Sequence, residues 1–563
     1  MATPSKPLSR LQIIGISLSL SCLYFFRVYR QLLDPAYDWY FEYDVPSIEI
    51  WAALFCSFLV FCVFSGLLVR IGNLRVGRSK SVLLILFASF GFAAFGPLSS
   101  ELFTWWFVMP QVWFKYLLPL VAFMICLAIA CRSSYGVAGL ANNLAAMLVI
   151  IAPFSILVFG HAFLVAAGVF AGNFGSNFID RNAGSQDSSN RLQRVVWIVF
   201  DEFGQNPLSH RPPDLRLPAL DELISNSFVA ENAFPPHYWT SASLPALLTG
   251  KRVHWVVPHG PDGITLHFHS DTSSAELTSA DTVFDDVLSL NGKNAAAGWY
   301  HPYPRLFPNK LSLGYWTPAG WYRCKSFNEC VSASLANSFE DVPILRDLFI
   351  ENPLVEADQI PFIRNRFLNH HREHAEYNLL LNERAKGLVT NENIDFVFLH
   401  FAIPHGPYLN RNNESTHSYF EALEAVDETL SILRDEMKRT NLWDRTTLIV
   451  SGDHWLRSDL SSPDGLDPKE VFMPENTRVP FIVKPSGGGE SIQYERHFNT
   501  VITRQLIKSI MTREVSTTEE IASWLERTSE EQPEFMNFHP CRELETPFIL
   551  NRPSTSVRLL TCK

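Results

Sequence analysis

The chain reads as two architectures in series: a multi-span α-helical membrane domain, then an α/β domain with a mostly parallel central sheet and helices on both faces. Three observations predict this. Long apolar runs dominate up to about residue 172, whereas charges, prolines and turn residues are interspersed after about residue 190. RVVWIVFDEFG, residues 194–204, is an unalternating apolar run ending in two carboxylates, Asp201 and Glu202, as expected of a central strand buried on both faces. TTLIVSGDHW, residues 446–455, repeats the pattern and ends in Asp453 and His454. Ligands sit beyond the carboxyl ends of strands in open α/β sheets. Adjacent carboxylates there are costly unless a cation or shared proton offsets their repulsion. A solvated acidic turn is the alternative for the first stretch taken alone. The two together make a mononuclear or binuclear metal centre the leading expectation.

The amino-terminal part offers five candidate spans, at about 11–26, 48–69, 81–97, 112–131 and 142–171. Each approaches or exceeds the ~17–20 residues that cross a bilayer core, the first being the shortest. A cleaved signal peptide accounts for the first run but not for four more. The fifth contains Asn142, Asn143 and Pro153, which fits a kinked span or a span followed by an interfacial helix. Lys6 and Arg10, then Arg70, Arg75, Arg78 and Lys80, then Arg132 fall in loops of one side, the cytoplasmic one. The opposite loops hold Asp34, Asp38, Glu42, Asp44, Glu49 and Glu101, with Trp105 and Trp106 as interfacial aromatics; Arg27 and Arg30 run against the majority. The expected placement is a multi-pass inner- or plasma-membrane protein, integral to the bilayer, with its large domain on the periplasmic or extracellular side.

The net charge of −11 is spread along the chain, which argues against a nucleic-acid partner. Of nine cysteines, Cys22, Cys56, Cys62, Cys126 and Cys131 lie in or beside the apolar runs, where a thiol behaves as a small apolar group. Cys324, Cys330, Cys541 and Cys562 are an even set, consistent with disulfides in an oxidising compartment. Neighbour pairing is preferred among three connectivities. A zinc site is the alternative, although no CxxC pair is present.

The remaining elements follow in order. The expected domains are 1–172 in the membrane, a Gly/Ser/Asn-rich linker at 173–193, and 194–563 as the outward-facing domain. Leu217–Ser227 has helical spacing. In NAFPPHYWTSASLPALLTGKR, residues 232–252, Thr240 or Ser241 would cap a helix running through Pro245 to Leu248 and ending at Gly250. The same place suits an anion held by free backbone N–H groups, or a metal-bound hydroxyl nucleophile. Residues 281–300 read as a helix then a strand, and 301–390 as a loop-rich insertion shaping a substrate site. Asp395–Phe401 is another buried strand running into AIPHGPY with His405, whose role is either structural or directed to substrate or metal. Residues 419–439 carry Phe420, Leu423, Val426, Leu430, Leu433 and Met437 at helical spacing. RVPFIVKPSG, 478–487, is a further strand, and Phe498–Met511 a helix. No internal repeat or nucleotide-binding glycine loop is present.

These motifs in this order (a strand ending DE then FG, a hydroxyl residue about 40 positions on before LLTG, then PHGPY, SGDH and RVPF) resemble the alkaline-phosphatase superfamily. The similarity is to its sulfatase-like branch, which holds lipoteichoic acid synthases and phosphoethanolamine transferases, and it covers roughly residues 194–511. The resemblance implies that Asp201 is a metal carboxylate, and that Glu202 is a second acidic ligand or only its neighbour. It implies that Thr240 is a metal-bound nucleophile, that Asp453 and His454 are paired ligands, and that His405 contacts the phosphate or sulfate group.

Departures refine this. Formylglycine maturation in true sulfatases needs Cys or Ser, then Pro two and Arg four positions on. Here those positions are Thr240, Ala242 and Leu244, so that maturation is not expected. Related phosphodiesterases place a second-metal Asp four residues before the loop histidine; here it is Phe401, which favours one ion. Ser241 and Ser243 are fallback nucleophiles.

The expected activity is a metal-dependent phosphoryl transferase or phosphodiesterase with a phospho-threonine intermediate. Its donor would be a membrane lipid or lipid-linked group, and its acceptor a glycan, a lipid or water. Zn²⁺ or Mn²⁺ suits an Asp/His/Thr donor set better than Mg²⁺ or Ca²⁺, which remain open. Two rivals stand beside it: a sulfate- or phosphate-ester hydrolase without formylglycine, and an inactive membrane-tethered domain that binds glycans or partners.

Overall fold

The computed structural model describes residues 8–33, 48–73, 144–157, 160, 178–181, 192–259, 262–268, 273–316, 361–456 and 477–531. Its centre is a nine-stranded sheet. In chain order the strands are β1 (Phe178–Asp180), β2 (Arg194–Asp201), β3 (Phe228–Ala230), β8 (Asn294–Gly298), β9 (Leu313–Trp316), β10 (Phe396–Pro404), β11 (Thr446–Gly452), β12 (Phe481–Lys484) and β13 (Ile492–Tyr494). The numbers between belong to two smaller sheets: β4 (Ala233–Phe234) pairs with β14 (Phe498–Asn499), and β5 (Val253–Pro258), β6 (Ile264–Phe268) and β7 (Ser274–Glu276) form an antiparallel meander.

The spatial order of the large sheet is β1-β9-β8-β10-β2-β11-β12-β3-β13. Its five parallel pairs include an unbroken run from β9 through β8, β10 and β2 to β11. Three antiparallel pairs flank that run, so the sheet is mixed where a mostly parallel one was expected. Strand β2 is buried at every residue, and its odd and even side chains enter different cores. Val195, Trp197 and Val199 join one cluster; Val196, Ile198 and Phe200 join the other. That is the physical content of an unalternating apolar strand.

Helices cover both faces. In chain order they are α1 (Arg10–Leu33), α2 (Ile48–Asn73), α3 (Gln205–Ser209), α4 (Pro218–Ser225), α5 (Thr240–Thr249), α6 (Val283–Ser289), α7 (Tyr303–Leu306), α8 (Pro361–Val389), α9 (Tyr419–Arg439), α10 (Thr503–Met511) and α11 (Thr518–Glu531). One core takes Leu220 and Leu223 of α4, Leu381 and Leu388 of α8, and Leu423, Val426, Leu430 and Leu433 of α9. The other takes Leu244 and Leu247 of α5, Phe284 of α6, Ile507 of α10 and Trp524 of α11. Each large apolar side chain so enclosed stabilises the fold by about 1.5–3 kcal/mol.

Several sequence expectations are corrected. The stretch 301–390 is not simply loop: β9 enters the central sheet and α8 is a 29-residue helix. Its described exposed positions include Arg372, Glu376, Glu383 and Arg384, so the apolar stripe through Tyr377, Leu381, Ala385 and Leu388 is sparse. Phe498–Met511 is a short strand, one 3-10 turn and then a helix, not a single helix.

The membrane expectation is also overturned. Among the described residues no helix is long and apolar enough to cross a membrane. The multi-span domain, and with it the multi-pass inner- or plasma-membrane placement, is therefore not supported. Counting apolar residues along the chain missed what those helices do with their polar ones. α1, α2 and the helical residues 144–157 pack on one another, with Ile16, Leu20, Val69, Ala145 and Leu148 in a small core. Ser17, Ser19, Ser21, Ser57 and Ser65 are buried among them, and the Ser19 hydroxyl donates to Leu148 O at 2.6 Å. The intervals 81–97 and 112–131 lie outside the described residues, as do Cys324, Cys330, Cys541 and Cys562, while Cys22, Cys56 and Cys62 are free thiols.

The close approach of β11 to the turn after β2 predicts a packing cost. A Cβ on Gly452 would collide with the backbone carbonyl of Phe203. Gly452→Ala should lower stability by about 1–3 kcal/mol, read as a reduced denaturant midpoint at unchanged slope.

Candidate metal centre

Strands β8, β10, β2 and β11 are adjacent and parallel, so all four carboxyl ends open on one edge of the sheet. There the chain deposits its chemistry: His301 three residues after β8, His405 directly after β10, Asp201 at the last position of β2, and Asp453 and His454 directly after β11. Backbone hydrogen bonds tie the ends together. His405 N donates to Asp201 O at 3.1 Å, and Asp453 N donates to Phe200 O at 3.2 Å.

Asp201, Asp453 and His454 each turn a ligand atom into one volume, all within 4.8 Å of one another, and all three are buried. His454 Nδ1 lies 2.9 Å from Trp455 O, so Nδ1 carries the proton and Nε2 the lone pair. That Nε2 sits 3.3 Å from Asp201 Oδ1 and 3.5 Å from Asp453 Oδ2. Electron-pair donors this close, out of water, need a positive charge between them. Two carboxylates and an imidazole nitrogen form the donor set that a divalent cation takes up, so the residues present fit a metal ion.

Glu202 is not part of that group. Its φ of 63° places it in the left-handed region, and its backbone N–H donates to Asp453 Oδ1 at 3.0 Å. The turn is fixed by Tyr419, whose hydroxyl donates to Glu202 O at 2.8 Å and accepts from Gly204 N at 3.0 Å. His454 N adds a second donor to Asp453 Oδ1 at 2.7 Å.

Thr240 is the first residue of α5, not its cap. The cap position is Trp239, extended and without a side-chain cap bond, and Gly250 closes the helix at φ 65°. Released from capping, the Thr240 hydroxyl points into the site, 3.0 Å from His454 Nε2 and 3.5 Å from each Asp201 carboxylate oxygen. Ser243 is committed elsewhere, its hydroxyl donating to Asp453 O, and Ser241 is half-buried on the same turn. His405 is half-buried, with Nδ1 2.6 Å from Gly406 O.

A buried histidine layer behind Thr240 escaped the sequence reading. His301 is enclosed; burial pushes its imidazole down to about 3, with the Thr240 backbone acting the other way. His400, on β10, is held well below the usual histidine range by burial and then by His301, His454 and His405. Tyr303 is pushed well above the ordinary phenol range, by burial first and then by the Asp453 and Asp201 carboxylates. Trp299 spans the layer, its ring 6.0 Å from that of His405 and 6.3 Å from that of His400. The signals were present: a histidine inside the apolar run DFVFLHF, and HPY just beyond the AAAG of β8.

Residues 343–512 match the family model described as Sulfatase. The match contains His405, Asp453 and His454; Asp201, Glu202 and Thr240 lie upstream of it. No curated protein matches the chain. Among solved structures, Ps i-CgsB in complex with a neocarrahexaose is 18% identical, over 60% of this chain and 77% of its own, with a TM-score of 0.37. An alkaline-phosphatase-superfamily protein from Vibrio parahaemolyticus is 15% identical over 60% and 71%, at 0.34. The phosphonate monoester hydrolase of Agrobacterium radiobacter is 15% identical over 55% and 71%, at 0.33.

Two outcomes follow from the geometry. Asp453→Ala or His454→Ala in the full chain should lower divalent-metal affinity by more than ~100-fold, read by metal analysis after gel filtration. The second concerns acid. An unfolded histidine titrates near 6.5, whereas His301 in the fold stays neutral down to about 3. Between those values the unfolded chain binds more protons, so stability falls as pH falls through that window and is flat above it. Each pH unit costs up to about 1.4 kcal/mol for this one group. Denaturant titrations at pH 7, 6, 5 and 4 should show that slope, reduced by about one proton in His301→Gln.

Proposed function

We propose that the chain is a sulfatase-like member of the alkaline-phosphatase superfamily, as the Sulfatase match over residues 343–512 supports, and that it is a metal-dependent hydrolase of phosphate or sulfate esters with Thr240 as its nucleophile. One observation carries the nucleophile: a helix-start hydroxyl with no capping duty, within 3.0–3.5 Å of His454 Nε2 and Asp201. Asp201, Asp453 and His454 would hold the divalent cation, which supplies positive charge to lower the pKa of the hydroxyl and to balance the ester oxygens.

The protein's own groups account for the rest. The amino end of α5, where Thr240 sits, turns the positive end of its helix dipole toward the incoming anion. Thr240 Oγ1, its proton lost to solvent, forms a bond to phosphorus as the bond from phosphorus to the leaving oxygen breaks. The leaving oxygen takes a proton from His405, whose ring is oriented by Gly406 O. Water, giving a proton to the now neutral His405, then attacks the phospho-threonine, which releases phosphate from a monoester substrate or a phosphate monoester from a diester and restores the hydroxyl. Phosphate esters are favoured over sulfate because Thr240, with Ala242 and Leu244 after it, lacks the residues that formylglycine formation requires.

The test uses the purified full chain with added Zn²⁺ or Mn²⁺, assayed on a chromogenic phosphodiester, a phosphomonoester and a sulfate ester. Thr240→Ala should lose at least ~10³-fold in turnover while retaining metal, and Thr240→Ser should retain most of it. Acid quenching should trap phosphate on Thr240. Turnover that is indifferent to Thr240→Ala would sink the nucleophile assignment. Product analysis in the presence of sugar or lipid alcohols separates transfer from hydrolysis.

A further inference from the structure

Trp299 is the first residue past β8, at the edge of the sheet where the candidate metal centre opens. Every residue of β8 is enclosed, as are Tyr300 and His301, whereas Trp299 is half-buried. Imidazoles border its ring. Those of His405 and His400 lie 6.0 and 6.3 Å away between centroids. His374 of α8 lies 6.4 Å away and nearly parallel, at 18°. Tyr300 abuts the indole edge-on at 5.7 Å. The backbone is pinned as well: the Trp316 indole N–H donates to Trp299 O, and the Arg305 guanidinium lies 4.5 Å over the Trp316 ring.

Packing alone does not ask for an indole here. Trp299 Nε1–H is enclosed and finds no acceptor among the described residues. An enclosed donor left unpaired is destabilising, and phenylalanine or leucine would avoid it. What the indole adds is a wide, rigid carbon face. With Nε1 shut in, carbon is what this side chain offers to the open edge of the sheet, and it offers no hydrogen bond.

His405 determines what meets that face. In the hydrolase reading it gives its proton to the leaving oxygen, which needs an approach of about 3 Å between ring nitrogen and oxygen. Its place beside the metal ligands is fixed, because its backbone N–H donates to Asp201 O at 3.1 Å. A group carried on a leaving oxygen at His405 therefore comes within reach of the Trp299 ring, 6.0 Å away between centroids. A flat carbon face suits another flat carbon face, by offset contact of an aryl ring or the C–H side of a sugar ring. A short alkyl chain covers little of it.

Resting on the hydrolase reading, we propose that Trp299 is the wall of the leaving-group subsite. It selects esters whose leaving alcohol carries a ring, aryl or sugar, over esters of small alkyl alcohols.

The experiment compares full-chain wild type, Trp299→Phe and Trp299→Leu at saturating Mn²⁺ on phenyl phosphate, glucose 1-phosphate and ethyl phosphate. Each variant is expressed relative to wild type on the same substrate, so that the intrinsic reactivity of the leaving group cancels. Trp299→Leu should lower kcat/KM for the ring-bearing esters by roughly 10-fold, and for ethyl phosphate by less than about 3-fold. Trp299→Phe, which keeps a smaller ring, should lose less. A loss on phenyl phosphate alone assigns the subsite to aryl alcohols, and one on glucose 1-phosphate alone to sugars. Calorimetry with the inert analogues benzylphosphonate and propylphosphonate reads binding without turnover. Trp299→Leu should weaken the first by about 5–10-fold and leave the second unchanged. Equal losses on all three esters, no loss on any, or a loss that tracks metal content would overturn the proposal. If Trp299→Leu does not fold, Trp299→Phe decides by the same criteria. A metal-loaded wild type that turns over no ester, yet binds benzylphosphonate in a Trp299-dependent way, overturns the hydrolase reading and leaves the subsite standing. An active wild type whose variants lose no selectivity overturns the subsite alone.

Discussion

The structure turns on the enclosure of Asp201 and Asp453 beside one another at the ends of neighbouring strands. Like charges about 4 Å apart repel by about 4 kcal/mol at an effective dielectric near 20, and their dehydration adds more. Nothing apolar relieves that. The backbone relieves part of it: Glu202 N and His454 N both donate to Asp453 Oδ1. To aim its N–H so, Glu202 adopts a left-handed conformation that costs of order 1–3 kcal/mol. Tyr419 bonds both ends of that turn and holds it in place. A cation held by Asp201, Asp453 and His454 would complete the balance that these dipoles begin.

Sheet order makes this arrangement possible. Four consecutive parallel strands present their carboxyl ends together, so residues distant in sequence meet without any long connection having to be ordered for the purpose. The helix that brings Thr240 is anchored to the same edge, through the Ser243 hydroxyl on Asp453 O. With Trp239 at the cap position, the threonine is spared the role its residue type usually takes at a helix start. Its hydroxyl is consequently available to the site.

Much of this was legible in the chain. Strands β2 and β11 announce themselves as apolar runs ending in carboxylates, and α9 emerges at Tyr419–Arg439 as its spacing indicates. Asp201, Asp453 and His454 were readable because ligand types sit at strand ends. What was not legible depends on contacts between distant segments. Glu202 reads as a second acidic ligand or only a neighbour of Asp201, and composition gives no sign of the left-handed torsion that aims its backbone N–H at Asp453 Oδ1. Thr240 reads as a cap because the extended conformation of Trp239 leaves no mark in composition. The helices near the amino terminus read as spans because a count of apolar residues does not register that their serines pack inward. α8 was hidden because its exposed faces carry so many charges that its apolar stripe is thin.

The histidine layer shows why this site keeps polarity behind the carboxylates without keeping charge there. A lysine or arginine at position 301 or 400 would pair with Asp201 or Asp453 and compete directly with a divalent cation for them. Leucine or phenylalanine at position 400 would fill the space but would offer the Tyr303 hydroxyl no partner. Imidazoles buried deeply enough to stay unprotonated avoid both outcomes: His400 Nδ1 pairs with the Tyr303 hydroxyl, and neither ring spends the negative charge of the carboxylates. The same burial that disfavours their protonation therefore preserves the negative charge of the carboxylates, and ties the acid stability of the fold to the electrostatics of the candidate metal centre.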